Sequence, residues 1–263
     1  MLLSILGECA LAIENSRNAK EKESAAVLAK NEQLRANLLR AISHDLRTPL
    51  TSISGNASNL MSNYDKLDDE MRMQIFTDIF NDSQWLISLV ENLLSVTRIE
   101  EGRMNFNMSV ELMDEVIEEA MRHINRKSTE HNISVEYKDE LILARMDARL
   151  IIQVIINIVD NAIKYTPAGS EIRITAEKKE NTVSVRISDN GAGIPDSIKP
   201  RVFEMFFTGE STIADNRRSL GLGLSLCKSI INAHGGEITL TDNTPHGSVF
   251  TFTLPSGEVN INE

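Results

Sequence analysis

Apolar positions between residues 39 and 60 recur in steps of three and four: Leu39, Ile42, Leu46, Ile53 and Leu60, with Pro49 and Asn56 in the intervening slots. This is a heptad stripe along one face of a helix. At roughly 100° per residue, His44 and Thr48 fall nearly opposite that stripe. A histidine kept for packing would lie on it. One that faces outward beside Asp45, a turn before a hydroxyl, reads as reactive. The spacing predicts a first long helix from about Asn15 to Ser62, a bend at Asn63-Tyr64-Asp65-Lys66, and a second helix capped by Asp68 or Asp69. The second helix carries its own stripe, Ile75, Ile79, Leu86, Leu89, Leu93 and Val96, broken at Asp82, and ends at Glu101-Gly102. Two helices with one stripe each cannot bury both within a single hairpin. Two hairpins joined as a four-helix bundle can, so a homodimer is expected. Upstream, Ser24–Arg40 is charged and alanine-rich with spaced leucines. It reads as solvated coiled coil or as a helix carrying a conformational signal into the bundle.

After Gly102 the pattern changes to short alternating segments separated by helices. Strands are expected at Asn105–Val110, Ile133–Tyr137, Leu141–Arg145, Glu171–Glu177, Thr182–Ser188, Glu237–Thr241 and Ser248–Leu254. Helices are expected at Met113–Arg126, Ala148–Lys164 (capped by Asp147, stopped by Pro167-Ala168-Gly169) and Leu222–His234. The fold class is therefore α plus α/β: a dimeric helical hairpin, then a two-layer sandwich of mostly antiparallel strands with helices on one face.

Composition narrows the chemistry. The formal charge of −11 over 263 residues argues against nucleic-acid binding, which needs a basic surface. The two cysteines, Cys9 and Cys227, have no metal-ligand spacing and form no disulfide framework, and each reads as a small buried hydrophobe. No segment reaches the ~18 apolar residues of a membrane span. Met1–Ile13 is apolar but interrupted by Gly7 and Glu8, with no basic leader. The chain reads as cytosolic with no membrane contact of its own, or as the cytosolic part of a membrane-bound protein.

Three constellations in the second half carry chemistry. Asn157, Asn161 and Lys164 are spaced by four and three on an otherwise apolar helix, so they share one face. That face is either solvated or meets a metal ion bearing phosphates, for which amide oxygens and an ammonium are suitable partners. Asp189-Asn190-Gly191-Ala192-Gly193 follows a strand. It is either a tight turn or a loop whose glycines admit a ligand to an acceptor at the strand end. Gly221-Leu222-Gly223-Leu224 opens a helix, where free N–H groups suit phosphate oxygens.

These motifs, in this order, with Phe203-Glu204-Met205-Phe206-Phe207 between the glycine segments, resemble the bacterial two-component sensor histidine kinases: a His box, an Asn box, two glycine boxes and a phenylalanine box. The resemblance runs from about Asn31 to Pro255. Glu32-Gln33-Leu34-Arg35 leading into Ala41–Thr51 is similar to the potassium-responsive KdpD group. The resemblance implies a Bergerat-type ATP-binding domain. His44 is then the phosphoacceptor, Asp45 its hydrogen-bonding partner, and Thr48 the residue that orients water for hydrolysis of a phosphorylated partner. Asn161 binds Mg²⁺ with Asn157 in support, Lys164 and Tyr165 contact the nucleotide, and Asp189 accepts the adenine amino group with Gly191 and Gly193 making room. Phe203 lines the site, and Gly221, Leu222, Gly223 and Leu224 receive the triphosphate. The implied partners are a second copy of the chain and a response regulator whose aspartate takes the phosphoryl group.

The domain division expected is 1–30 signalling helix, 31–103 dimerisation and phosphotransfer hairpin, 104–257 ATP-binding domain and 258–263 tail. Two features depart from the family pattern: Thr208 stands where an arginine-type ending is usual, and Arg217-Arg218-Ser219-Leu220 replaces small residues ahead of Gly221. Gly209–Ser219, without periodicity, reads as a lid. A gyrase-type ATPase would have no phosphoacceptor helix, and a non-catalytic scaffold would need none of the three nucleotide motifs together.

Overall fold

The first heptad stripe becomes helix α1, residues 46–63, in the computed structural model, which describes residue 43 and residues 46–100, 105–124, 130–207 and 221–258. The upstream coiled coil, Cys9, and stripe residues Leu39 and Ile42 lie outside the described residues. Within α1 the stripe is inward: Pro49 and Leu60 are buried, Ile53 and Asn56 half-buried, and Thr48 exposed. A 3-10 turn at Tyr64–Lys66 makes the expected bend. Asp68 then caps α2 (Asp69–Glu100), its Oδ1 accepting the Met71 N–H at 2.7 Å. Arg72 locks the turn: its guanidinium donates to Leu67 O at 2.7 and 3.0 Å and lies 4.4 Å from the centre of the Tyr64 ring.

The chain divides into two compact units between Leu86 and Ile87. In the second unit, from Ile87 onward, Asn92 Oδ1 on α2 accepts a hydrogen bond from Gln153 at 3.1 Å. The unit then runs β1 (Ser109–Leu112), α3 (Met113–Ile124), β2 (Asn132–Tyr137), β3 (Leu143–Met146), α4 (Ala148–Tyr165), β4 (Glu171–Lys179), β5 (Thr182–Asp189), α5 (Gly223–Ala233), β6 (Ile238–Asp242) and β7 (Ser248–Pro255). Five strands form one sheet in the order β2-β4-β5-β7-β6. Period-two burial gives it one wet and one dry face. Ile172, Ile174 and Ala176 of β4, Val183, Val185 and Ile187 of β5, and Phe252 and Leu254 of β7 face the core. Against them pack Ile151, Val154, Ile155 and Ile158 of α4, and Leu226 and Ile230 of α5. The result is the expected two-layer sandwich.

Two details differ from the sequence expectation. The first strand starts at Ser109 rather than Asn105 and pairs only with β3, as a separate two-stranded ribbon. Also, β2 pairs with β4 in parallel, because the connection between them runs through α4 and a helical crossover returns the chain in the same direction. The other pairs in the main sheet are antiparallel.

A buried histidine ties the helices together. His234, just past α5, is 3% exposed. Its Nε2 accepts the Asp147 N–H at 3.0 Å, while its Nδ1 lies 2.8 Å from Ile230 O and so carries the proton. The Phe106 ring meets it edge-on at 5.6 Å. Asp147 stands at the N-cap position of α4, but its carboxylate is directed elsewhere: Oδ2 accepts from Asn107 N at 3.0 Å and from Arg149 at 3.3 Å.

Candidate functional site

Three contacts set α4 antiparallel to α5. Asp147 meets His234, the Cys227 thiol lies 3.8 Å from Val154 O, and the amide oxygen of Asn157 lies 3.4 Å from where a Cβ on Gly223 would stand. This register brings the polar face of α4 beside the opening turn of α5. Asn157, Asn161 and Lys164 share that face, as their spacing requires. The Asn157 Nδ2 is buried and finds no hydrogen-bond partner among the described residues, although its amide also interacts with the Cys227 thiol, a weak partner. Tyr165, half-exposed, ends the helix with Lys164 Nζ 5.3 Å from its ring centre.

Asp189 ends β5 and is 8% exposed. Its Oδ1 accepts two main-chain N–H groups, from Gly191 at 2.9 Å and Ser248 at 3.2 Å. Burial nonetheless pushes this carboxyl above its ordinary pKa, the two hydrogen bonds offsetting only part of the desolvation. Gly191 has no room for a side chain: a Cβ there would stand 2.7 Å from Thr166 Cγ2 and 3.0 Å from Asp189 Oδ1. Thr166 is held in turn. Its hydroxyl donates to Ala162 O at 2.7 Å, so His131 Nε2, 3.1 Å away, must be the donor of the second bond.

At the start of α5, Gly221 adopts φ +65° with its Cα against the Phe206–Phe207 main chain, a conformation and a closeness that only glycine accommodates. Leu222 is 3% exposed and Leu224 packs on the core, so only their main chains border the site. Phe203 likewise turns inward, its ring edge-on to Phe250 at 6.3 Å, with Lys228 Nζ 5.8 Å from its centre. Gly193 has φ +77° and sits against Gly247 O. The structure thus gathers Asn157, Gly191, Gly193, Asp189, Gly221 and Gly223 around one end of α4 and α5. His44, Asp45, Thr208 and the 209–220 segment lie outside the described residues.

Sequence reasoning missed Thr166, His131, Asn243 and His246. Asn243 Nδ2 donates to Asp189 O at 2.7 Å, and His246 Nδ1 lies 3.1 Å from Gly191 O. None belongs to a recognisable motif. The one available signal was the Gly247-Ser248 pair opening a strand.

Residues 146–258 match the family described as histidine kinase-, DNA gyrase B- and HSP90-like ATPase, and residues 34–102 match the His kinase A (phospho-acceptor) domain. The catalytic domain of histidine kinase ThkA is 33% identical, with TM-score 0.51 over 58% of this chain and 99% of that one. The chain belongs to the sensor histidine kinases. Among curated relatives, sensor protein KdpD of Clostridium acetobutylicum is 42% identical over 252 residues, which is 96% of this chain and 28% of that protein. This histidine kinase chain therefore spans little more than a quarter of the length of that relative. ThkA has also been solved in complex with response regulator protein TrrA, at 28% identity and TM-score 0.63 over 84% of this chain and 61% of that one. Among the described residues of the kinase, no helix is long and apolar enough to cross a membrane.

Proposed function

We propose that this chain binds ATP between the polar face of α4, the Asp189 loop and the opening of α5, and transfers the γ-phosphoryl group to His44. The observation that carries the reading is Asp189, a buried carboxylate whose Oδ1 is filled by two protein N–H groups while Oδ2 receives none among the described residues. Burying such a group costs free energy unless a donor completes it, and the adenine 6-amino group is such a donor. The Asn157 Nδ2, buried with only the weak Cys227 thiol beside it among the described residues, is a second group in need of a polar ligand. Gly191, Gly193, Gly221 and Gly223 let the loops that border the proposed site pack closely on Thr166, Gly247, Phe207 and Asn157.

Among the described residues, no cluster of three acidic, histidine or cysteine side chains offers a ready-made cation cage. Mg²⁺ is commonly held by few protein oxygens together with substrate phosphates, and the amide oxygens on the polar face of α4 are hard ligands of the kind it takes. Asn161 would hold it, with Asn157 in support, and the ion would neutralise charge on the phosphate oxygens. Lys164 adds a positive charge on the same face, and Tyr165 contacts the nucleotide. An unprotonated ring nitrogen of His44 attacks the γ-phosphorus, the bond from that phosphorus to the bridging oxygen breaks, and ADP departs. Asp45 accepts a hydrogen bond from the other, protonated ring nitrogen and stabilises the charge that develops on the imidazole.

The domain limits proposed are 1–30, 31–103, 104–257 and 258–263. Along α2, Met73, Phe76, Phe80, Ile87, Val90 and Leu94 are all 45% exposed or more in the single chain. This second apolar stripe supports pairing of two hairpins into a four-helix bundle. By the same reading His44 passes its phosphoryl group to an aspartate of a response regulator, and exposed Thr48 orients water for the reverse, phosphatase reaction. By the same reading, the use of ATP and of a response regulator fits a cytoplasmic location for this chain.

The test is incubation with γ-labelled ATP and Mg²⁺, comparing the native chain with His44→Gln. Acid-labile, base-stable label on the native chain alone is expected. Label retained by His44→Gln, or none on a native chain that binds nucleotide, overturns the reading.

A further inference from the structure

The turn between β6 and β7 lies behind the Asp189 loop, and none of the nucleotide motifs includes it. Besides the contact of Gly193 with Gly247 O, four more join the two. Asn243 Nδ2 donates to the Asp189 carbonyl at 2.7 Å, the shortest of them. His246 Nδ1 lies 3.1 Å from Gly191 O, an acceptor with no proton of its own, so the ring donates. Ser248 N–H reaches Asp189 Oδ1 at 3.2 Å. Gly247 is pressed so close to the Asp189 carbonyl that any Cβ would overlap it.

The turn is itself preorganised. Asn243 N–H donates to Gly247 O at 3.0 Å, and Asn243 Oδ1 accepts the Thr244 N–H at 2.9 Å. The side chain of Asn243 therefore has two separable duties. Its oxygen shapes its own turn, and its nitrogen fixes the backbone of a residue 54 positions away.

The geometry points to the Asn243–Gly247 turn as a positioning element for nucleotide recognition, with Asn243 as the residue that aims the Asp189 carboxylate at the base. This rests on the proposed role of Asp189 as acceptor for the adenine 6-amino group. With the Asp189 carbonyl held by Asn243 and Oδ1 held by Gly191 and Ser248, both the main chain and one carboxylate oxygen are fixed. The remaining oxygen then has one direction in which to accept. A loose Asp189 would swing and give up that directionality, because hydrogen bonds weaken steeply off line.

Asn243→Asp separates the two duties. The new carboxylate still accepts from Thr244 N–H, but it places an oxygen against the Asp189 carbonyl where a donor stood. The readout is a comparison of ATP with purine riboside 5′-triphosphate, which lacks the 6-amino group, measured by calorimetric titration of the full chain. Asn243→Asp is expected to weaken ATP about tenfold and to leave the aminoless nucleotide within about twofold of the native value. His246→Ala, on the exposed side of the turn, is expected to act in the same direction by a smaller factor, and it serves if Asn243→Asp does not fold. Equal losses for both nucleotides would mean that the turn merely supports the fold, and no loss would mean that it does not position Asp189; either result overturns the inference. Asp189→Asn, run alongside, keeps the two readings apart. If that variant loses ATP selectively and the turn variants do not, only the turn is misassigned. If it affects both nucleotides equally, the base-acceptor role of Asp189 is itself wrong.

Discussion

Replacing His234 with alanine is expected to destabilise the nucleotide-binding unit by about 3 kcal/mol. The largest part comes from the Asp147 N–H, which loses its acceptor at 3.0 Å in a place water does not reach. A stranded buried donor costs roughly 1–3 kcal/mol. The edge-on contact with Phe106 at 5.6 Å adds about 0.5–1.5 kcal/mol, and the space left by the ring adds more, because the sandwich relaxes only in part. The Ile230 carbonyl matters least, since it also receives the His234 main-chain N–H at 3.1 Å. Tryptophan fluorescence is the wrong probe, because the single tryptophan, Trp85, lies in the first unit. Hydrogen exchange read at the Asp147 amide and at Val154 and Ile155 reports on the second unit directly. Asn232→Ala, an exposed change on α5, is the control and should stay within about 0.5 kcal/mol of native. Protection at Asp147 within about 0.5 kcal/mol of native in His234→Ala would refute the argument that this histidine ties α4 to α5.

Three further outcomes follow from the site. Gly191→Ala puts a methyl group 2.7 Å from Thr166 Cγ2, a short side chain with its hydroxyl already bonded, so ATP affinity measured by titration should fall by about tenfold or more; an unchanged affinity would refute the close-approach role of that glycine. ATP affinity should also decline on acidification, starting above the ordinary carboxylate range, because Asp189 holds its proton to a higher pH than an exposed aspartate and a protonated carboxyl is a poorer acceptor; Asp189→Asn should flatten that limb of the profile. Burial pushes the Cys227 thiol up to about 12, so in a Cys9→Ser background a thiol reagent at neutral pH should label the chain only after denaturation, and rapid labelling of the folded protein would contradict the burial.

What the sequence disclosed, and what it withheld, follows the range of the interactions. Periodicity exposes a helix face, so the stripe of α1 from Leu46 onward and the shared face of Asn157, Asn161 and Lys164 could be read residue by residue, whereas the cap of α2 could be narrowed only to Asp68 or Asp69. Glycine motifs were legible because each satisfies a local backbone demand, as Gly221 does at φ +65°. Pairing partners were not. Nothing in Ser109–Leu112 announces that it joins β3 alone, and the parallel pairing of β2 with β4 depends on a crossover whose packing involves the whole sheet. The residues behind the site were invisible for the same reason. His131 reaches Thr166 across 35 positions and Asn243 reaches Asp189 across 54, through bonds to main chain or to a lone hydroxyl, which leave no motif.

Two buried aspartates show why such contacts, rather than residue type, decide what a carboxylate can do. Asp147 and Asp189 are 2% and 8% exposed, and burial pushes the pKa of both upward. At Asp147 the upward push is overcome by the Asn107 N–H and by hydrogen bonding and charge from Arg149, so its carboxyl ends below its ordinary value. Its folded-state pKa being depressed, it contributes stability above the ordinary carboxylate range, and that contribution is lost as pH falls through the lowered value. It is a structural carboxylate, complete within the protein. At Asp189 the two N–H donors are both main-chain groups, no cation among the described residues offsets the burial, and the pKa stays raised. The sign is then opposite: ionised Asp189 costs the nucleotide-free protein stability above its raised pKa, and the cost disappears on protonation. A ligand that donates to the remaining oxygen relieves the same cost at neutral pH. On the proposed reading of Asp189 as the base acceptor, the instability of the free site supplies part of the driving force for binding, and it favours a base that offers a hydrogen at that point over one that offers a lone pair.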